Sequence, residues 1–258
     1  MNSPVSNLET GFFCGKHCNP HFLVIRYFLL YKFGGKIMKK LFVLLMLALF
    51  MAGCSDEVTD FGGEIVMDIP TETTTESDDG REFSLGYSTG RIYRNEFIGI
   101  QCTLDSNWTF MTDEEIRAQN ETTLGLVGDN YAEAIKNASI LYDMMATHSN
   151  GMDTVGVVLE KPNVATLLLS EEEYLIASKE DAVGSLESLG ITVSSAEVVK
   201  IKFAGAEHYA LKVAGRFTGY NVYECMVAIK CNGYVAVVTA CTWDTNTTMD
   251  IISQFEAY

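Results

Sequence analysis

The sequence predicts a mixed α+β fold: an antiparallel sheet covered on both faces. Three observations carry this. Tyr220–Cys231 and Tyr234–Cys241 are apolar runs joined by Asn232-Gly233, the strongest short hairpin signal. Both faces of that hairpin are apolar, with Tyr223, Cys225, Val227 and Ile229 on one and Val222, Met226, Ala228, Val235 and Val237 on the other. Neither face can be left to water. Two capping boxes, Thr112-Asp113-Glu114-Glu115 and Ser170-Glu171-Glu172-Glu173, open helices among the strand runs.

The chain begins outside that fold. Met38 to Cys54, MKKLFVLLMLALFMAGC, has the layout of an export signal: Lys39 and Lys40, an apolar stretch Leu41–Met51, then small residues. Its apolar part is too short to span a bilayer, which needs roughly 20 residues. Such signals sit at a translated N-terminus, and Gly34-Gly35-Lys36 fits purine-rich codons of a ribosome-binding sequence. Residues 1–37 are therefore expected to be an upstream leader read as protein, and 38–53 the signal peptide. The leader holds Cys14, Cys18 and His21, but three ligands at irregular spacing do not make a zinc site. No metal or other cofactor is expected.

Met51-Ala52-Gly53-Cys54 resembles the lipobox of bacterial lipoproteins, with Met51 where leucine is usual. The resemblance implies cleavage between Gly53 and Cys54 and a diacylglycerol thioether on the Cys54 sulfur. It also implies a further acyl chain, such as palmitate, on the new N-terminus. Each buried CH₂ contributes about 0.8 kcal/mol, so two or more chains hold a protein stably on a bilayer. The expected location is the extracytoplasmic face of the cell membrane.

Removing residues 1–53 takes away six of the 18 basic and one of the 34 acidic residues, leaving a net charge of −21. That balance argues against nucleic acid and against electrostatic adhesion to anionic lipid, because both select basic surfaces. Residues 54–84 form the lipidated N-terminus and an acidic tether. Between Ser55 and Gly80 there are nine acids and no base, with too little apolar surface to fold. The acids lack the order of a calcium loop. Residues 85–258 are one globular domain, of a size that buries a real core.

Gly86-Tyr87-Ser88-Thr89-Gly90 matches the G-x-S-x-G of hydrolases. That motif works only between a buried strand and a helix, where the turn exposes the serine. Here linker residues precede it and extended residues follow, so Ser88 is the only nameable nucleophile and a weak one. Phe97 to Leu104 alternates as a strand, and Asp105-Ser106-Asn107 turns the chain. Met111 and Ile116 staple the first capping box. Helical character runs to about Asn120 and again from Asp129 to Lys136. Ile140–Ala146 and Thr154–Glu160 read as strands.

In the second capping box, Leu169 and Tyr174 are the staple. Its helix carries Leu175, Ala182, Val183, Leu186 and Leu189 at helical spacing and stops at Gly190. Ala196–Phe203 and Glu207–Ala214 complete a four-strand meander with the hairpin. A two-residue loop pairs Cys231 with Tyr234, so Cys225 faces Ala240 while Cys241 points to the other side. That register argues against a Cys225–Cys241 disulfide. With no CxxC after residue 54, Cys102, Cys225, Cys231 and Cys241 read as small buried hydrophobes. Thr245 to Tyr258 is expected to close the chain as a helix with Met249, Ile252 and Phe255 inward.

Tyr93-x-Asn95 on an early strand, a turn ending in Trp108, the Thr112 capping box, the long helix, the Asn-Gly meander and the terminal helix follow one another in an order similar to the PsbP-like fold. Small exported lipoproteins of low-GC Gram-positive bacteria carry that fold, as do a photosystem II extrinsic protein and a nuclear-import factor that binds the Ran GTPase. The resemblance covers about residues 88–258. It implies an α/β/α sandwich that docks to other proteins without catalytic machinery. Three functions are thus in play: a lipid-anchored module binding a protein or envelope component, a serine hydrolase using Ser88, and small-ligand capture by aromatics such as Tyr93, Trp108, Tyr142 and Trp243. The histidines His148 and His208 carry no catalytic context.

Overall fold

The computed structural model describes residues 81–124 and 131–258. The expected leader, signal peptide, lipidation site and acidic run to Gly80 lie outside the described residues. The fold is α+β, with helices on both faces of a large antiparallel sheet. A small first sheet joins β1 (Tyr87–Thr89), β2 (Ile92–Asn95), β3 (Ile100–Thr103) and the C-terminal β11 (Phe255–Ala257), in that order. The main sheet has seven strands in the order β4-β5-β6-β10-β9-β8-β7. These are β4 (Trp108–Phe110), β5 (Ile140–His148), β6 (Thr154–Glu160), β7 (Thr192–Phe203), β8 (Ala206–Phe217), β9 (Tyr220–Cys231) and β10 (Tyr234–Trp243). Among the described residues five helices complete it: α1 (Asp113–Leu124), α2 (Tyr131–Asn137), α3 (Val164–Leu167), α4 (Glu171–Ser188) and α5 (Thr248–Ile252).

The hairpin register follows from its turn. Cys231 pairs with Tyr234, Cys225 with Ala240, and Glu224 with Cys241. Asn232 and Gly233 both take positive φ, 44° and 80°, as a two-residue turn with the twist of the flanking strands requires. Alternation then sorts the side chains into two core layers. Cys225, Val227, Ile229, Ala236, Val238 and Ala240 face the small sheet and α5. Val222, Met226, Ala228, Val235, Val237 and Cys241 face α4. Cys102, Cys225 and Cys241 are buried free thiols, and Cys231 is half-buried. Burial pushes the Cys102 and Cys225 thiols up to about 12.

Both capping boxes form. The Ser170 hydroxyl accepts the Glu173 N–H at 3.2 Å, and the Glu173 carboxylate accepts the Ser170 N–H at 2.9 Å. Thr112 and Glu115 make the same exchange. Leu169 and Tyr174 pack in the α4 layer together, as do Met111 and Ile116. α4 stops where Gly190 takes φ 88°.

Two expectations are corrected. The single strand over Phe97–Leu104 is a turn followed by β3. Asn95 side-chain oxygen accepts the Ile98 N–H at 3.0 Å and its carbonyl accepts the Gly99 N–H at 3.0 Å, which folds Phe97 and Ile98 into the core. The terminal helix over Thr245–Tyr258 shrinks to the five residues of α5. Its continuation, Phe255–Ala257, instead pairs with β3, because the open edge of the small sheet offers those backbone groups partners. Phe255 also meets Phe203 at 5.5 Å between ring centres.

Candidate functional site

The described surface holds a groove of about 180 Å³ where β7, β8 and β9 meet α5. Ser195, Glu197, Lys212, Ala214 and Tyr223 line it from the sheet, and Asn246, Thr248 and Met249 from the α5 side. Register explains the grouping. Ser195 pairs with Ala214 and Ala214 with Tyr223, while Glu197 pairs with Lys212 and Lys212 with Cys225, so all share one face. The sulfur of Met249, which borders the groove, lies 3.9 Å from that of the buried Cys225. The Thr248 hydroxyl donates to Asn246 Oδ1 at 2.8 Å. No carboxylate of the described residues lies within ion-pair distance of Lys212. Val213 and Glu224 also border the groove, but alternation assigns their side chains to the opposite, α4-facing layer.

Glu224 is the most unusual residue of that layer. It is 2 % exposed, and neither carboxylate oxygen has a hydrogen-bond partner among the described residues. Its strand neighbours Val222 and Met226 and its cross-strand partners Val213 and Cys241 offer no strong donor. Burial alone pushes its pKa up to about 8, so the group is mainly a neutral acid at pH 7. The Thr239 hydroxyl, on the same face of β10, is likewise unpartnered. Pattern reading passed over Glu224 as a position in an apolar strand; its sole signal was a lone acid inside Val222–Ile229.

Asp143 is the contrasting buried acid. It sits at the β-bulge between Tyr142 and Met144 and receives the Gly86 N–H at 2.6 Å, the Asn95 amide at 2.7 Å and the Tyr93 hydroxyl. Burial raises its pKa and these bonds pull it back. Behind the bulge, the Asn120 amide on α1 satisfies both backbone groups of Tyr142, at 2.8 and 2.7 Å. Tyr93-x-Asn95 thus bolts the small sheet to the main one.

The structure disperses the other residues singled out in the sequence. Ser88 lies in β1 opposite Tyr93, and a turn and a second strand follow it, so the strand-to-helix elbow is not formed. Its N–H reaches Asp113 Oδ1 at 3.4 Å. His148 packs on Trp108 at 5.2 Å, and His208 Nδ1 lies 3.0 Å from Glu171. The four aromatics do not converge: Tyr93 and Trp108 belong to one core layer, Tyr142 and Trp243 to the other. Among the described residues no three His, Cys, Asp or Glu side chains gather as metal ligands, and no helix is long and apolar enough to cross a membrane. Gly53 and Cys54, the cleavage and lipidation positions, lie outside the described residues.

No family model matches the chain, and no curated protein does. Solved structures do. One is the crystal structure of LpqN, involved in cell envelope biogenesis of Mycobacterium tuberculosis, at 13% identity over 61% of this chain and 82% of that one, with a TM-score of 0.34. Another is the solution structure of cyanobacterial PsbP (CyanoP) from Synechocystis sp. PCC 6803, at 12% identity over 71% and 99%, with a TM-score of 0.37.

Proposed function

We propose that the chain is a lipoprotein anchored through Cys54 to the outer face of the cell membrane, whose folded domain docks a protein or another envelope component without catalysis. One observation carries the address: Met38–Cys54 joins a basic start, a short apolar run, small residues and a cysteine in a single stretch. The α+β domain and the acidic run before it fit a module held off the bilayer on a tether. The hairpin setting of Ser88 counts against a hydrolase, since its hydroxyl lacks the strained turn that would expose it.

Intact-mass analysis of the membrane fraction tests the address. The expected product begins at Cys54 and carries diacylglycerol on its sulfur, and Cys54→Ser leaves the protein without acyl chains. An unmodified Cys54 in a released or cytosolic product overturns the reading. For the partner, crosslinking of the full chain in intact cells is expected to trap a protein or envelope component, and a serine-hydrolase probe labelling Ser88 would favour the enzyme instead.

A further inference from the structure

β7 is a twelve-residue strand at the end of the main sheet, and among the described residues it pairs with β8 alone. Alternate residues of an edge strand direct their N–H and C=O groups outward, a template for another strand. β7 contains no proline, and its one irregularity is a register shift near its start, between Val193 and Ser195. The two strands of that edge are also rich in basic residues for an acidic protein, although Glu172 at the start of α4 lies close enough to act on Lys200. The two strands β7 and β8 hold Lys200, Lys202, Lys212 and Arg216, four of the eleven basic residues from 85 onward, but only Glu197 and Glu207 of the 23 acids. Lys200 is paired with Glu207 at 3.2 Å, whereas Lys202, like Lys212, has no ion pair among the described residues.

Alternation gives the edge two different flanks. Lys200 and Lys202 lie on the α4 side, while Val199 and Ile201 lie on the other, where Ser195 and Glu197 also border the groove. We propose that the free edge of β7 is the docking surface and that it receives an extended segment of a partner protein as an eighth strand, with acidic side chains on the Lys200–Lys202 flank alternating with apolar ones on the Val199–Ile201 flank. Main-chain hydrogen bonds supply the affinity and the alternating flanks the selectivity. The inference rests on the reading of the domain as a protein-docking module and names its surface.

The test uses the full chain and a labelled peptide of alternating valine and glutamate, followed by fluorescence anisotropy and by amide exchange. The expected result is binding that protects amides of residues 192–203. Replacing glutamate by lysine in the peptide, or making Lys200→Glu with Lys202→Glu in the protein, is expected to weaken it by roughly tenfold. N-methylation of the peptide backbone, which keeps the charge and removes the donors, is expected to abolish it. Both lysines are exposed, so their replacement leaves the core untouched; Lys202→Gln serves as the milder variant. No binding, binding that survives N-methylation, or binding without protection of β7 overturns the proposal. Its failure with a lipidated Cys54 leaves the membrane address standing, whereas an unmodified Cys54 with intact peptide binding removes the address and leaves the surface.

Discussion

Glu224 and Asp143 are both buried carboxyls, yet their surroundings give them different work. Asp143 has three donors and joins two sheets; Glu224 has none among the described residues. The unfolded chain ionises Glu224 near 4.5, while the folded protein holds its proton up to about 8. Between those values the folded state binds more protons, so stability falls as pH rises, by up to about 1.4 kcal/mol per pH unit from this group. The contribution is complete below 4.5 and lost as pH passes 8. Thermal melts from pH 5 to 8 are expected to show Glu224→Gln gaining on the native protein as pH rises, because the amide cannot ionise. Asp143 and Glu160 are raised as well, so the comparison with the variant isolates Glu224. A difference between the two that stays constant across that range would rule this out. Neither acid announces its role in sequence: Asp143 is buried by β1 and β2, some fifty residues upstream, and Glu224 by the α4 layer.

At the level of elements, local chemistry was readable where the deciding contacts span a few residues. The Ser170 box closes over three residues, and Ser170→Ala is expected to lower stability by about 1 kcal/mol in urea titrations, with the slope of the transition unchanged. The Asn232-Gly233 turn set the pairing of twenty residues because a two-residue loop admits one register. The C-terminal segment was misread for the converse reason. Met249, Ile252 and Phe255 have helical spacing, but the edge of β3 lies more than 150 residues earlier and converts the last of them to a strand. G-x-S-x-G likewise has its letters at Gly86–Gly90; the extended residues after it already denied it a helix, and the pairing of β1 with β2 shows the hairpin that stands there instead.

For the molecule as a whole, the two core layers meet different covers: α4 and α1 on one side, the small sheet with α5 on the other. Phe255 ties the last strand to that second layer through Phe203, so Phe255→Ala is expected to cost about 3–5 kcal/mol. Differential scanning calorimetry would register it as a lowered Tm, and an unchanged Tm would mean the C-terminal strand adds nothing to the core. Charge is uneven at this scale too, with basic residues concentrated on β7 and β8 at one end of the sheet.

By itself the sequence determined the α+β class, the hairpin register and the helix caps, since each depends on neighbours within a turn or two of chain. The tertiary structure alone decided which acids are buried, where the C-terminus pairs, that Ser88 lies in a hairpin and that, among the described residues, β7 is an edge. Those outcomes depend on which distant segment arrives beside a residue, and backbone groups and carboxyls take their partners, or go without, only once that packing is complete.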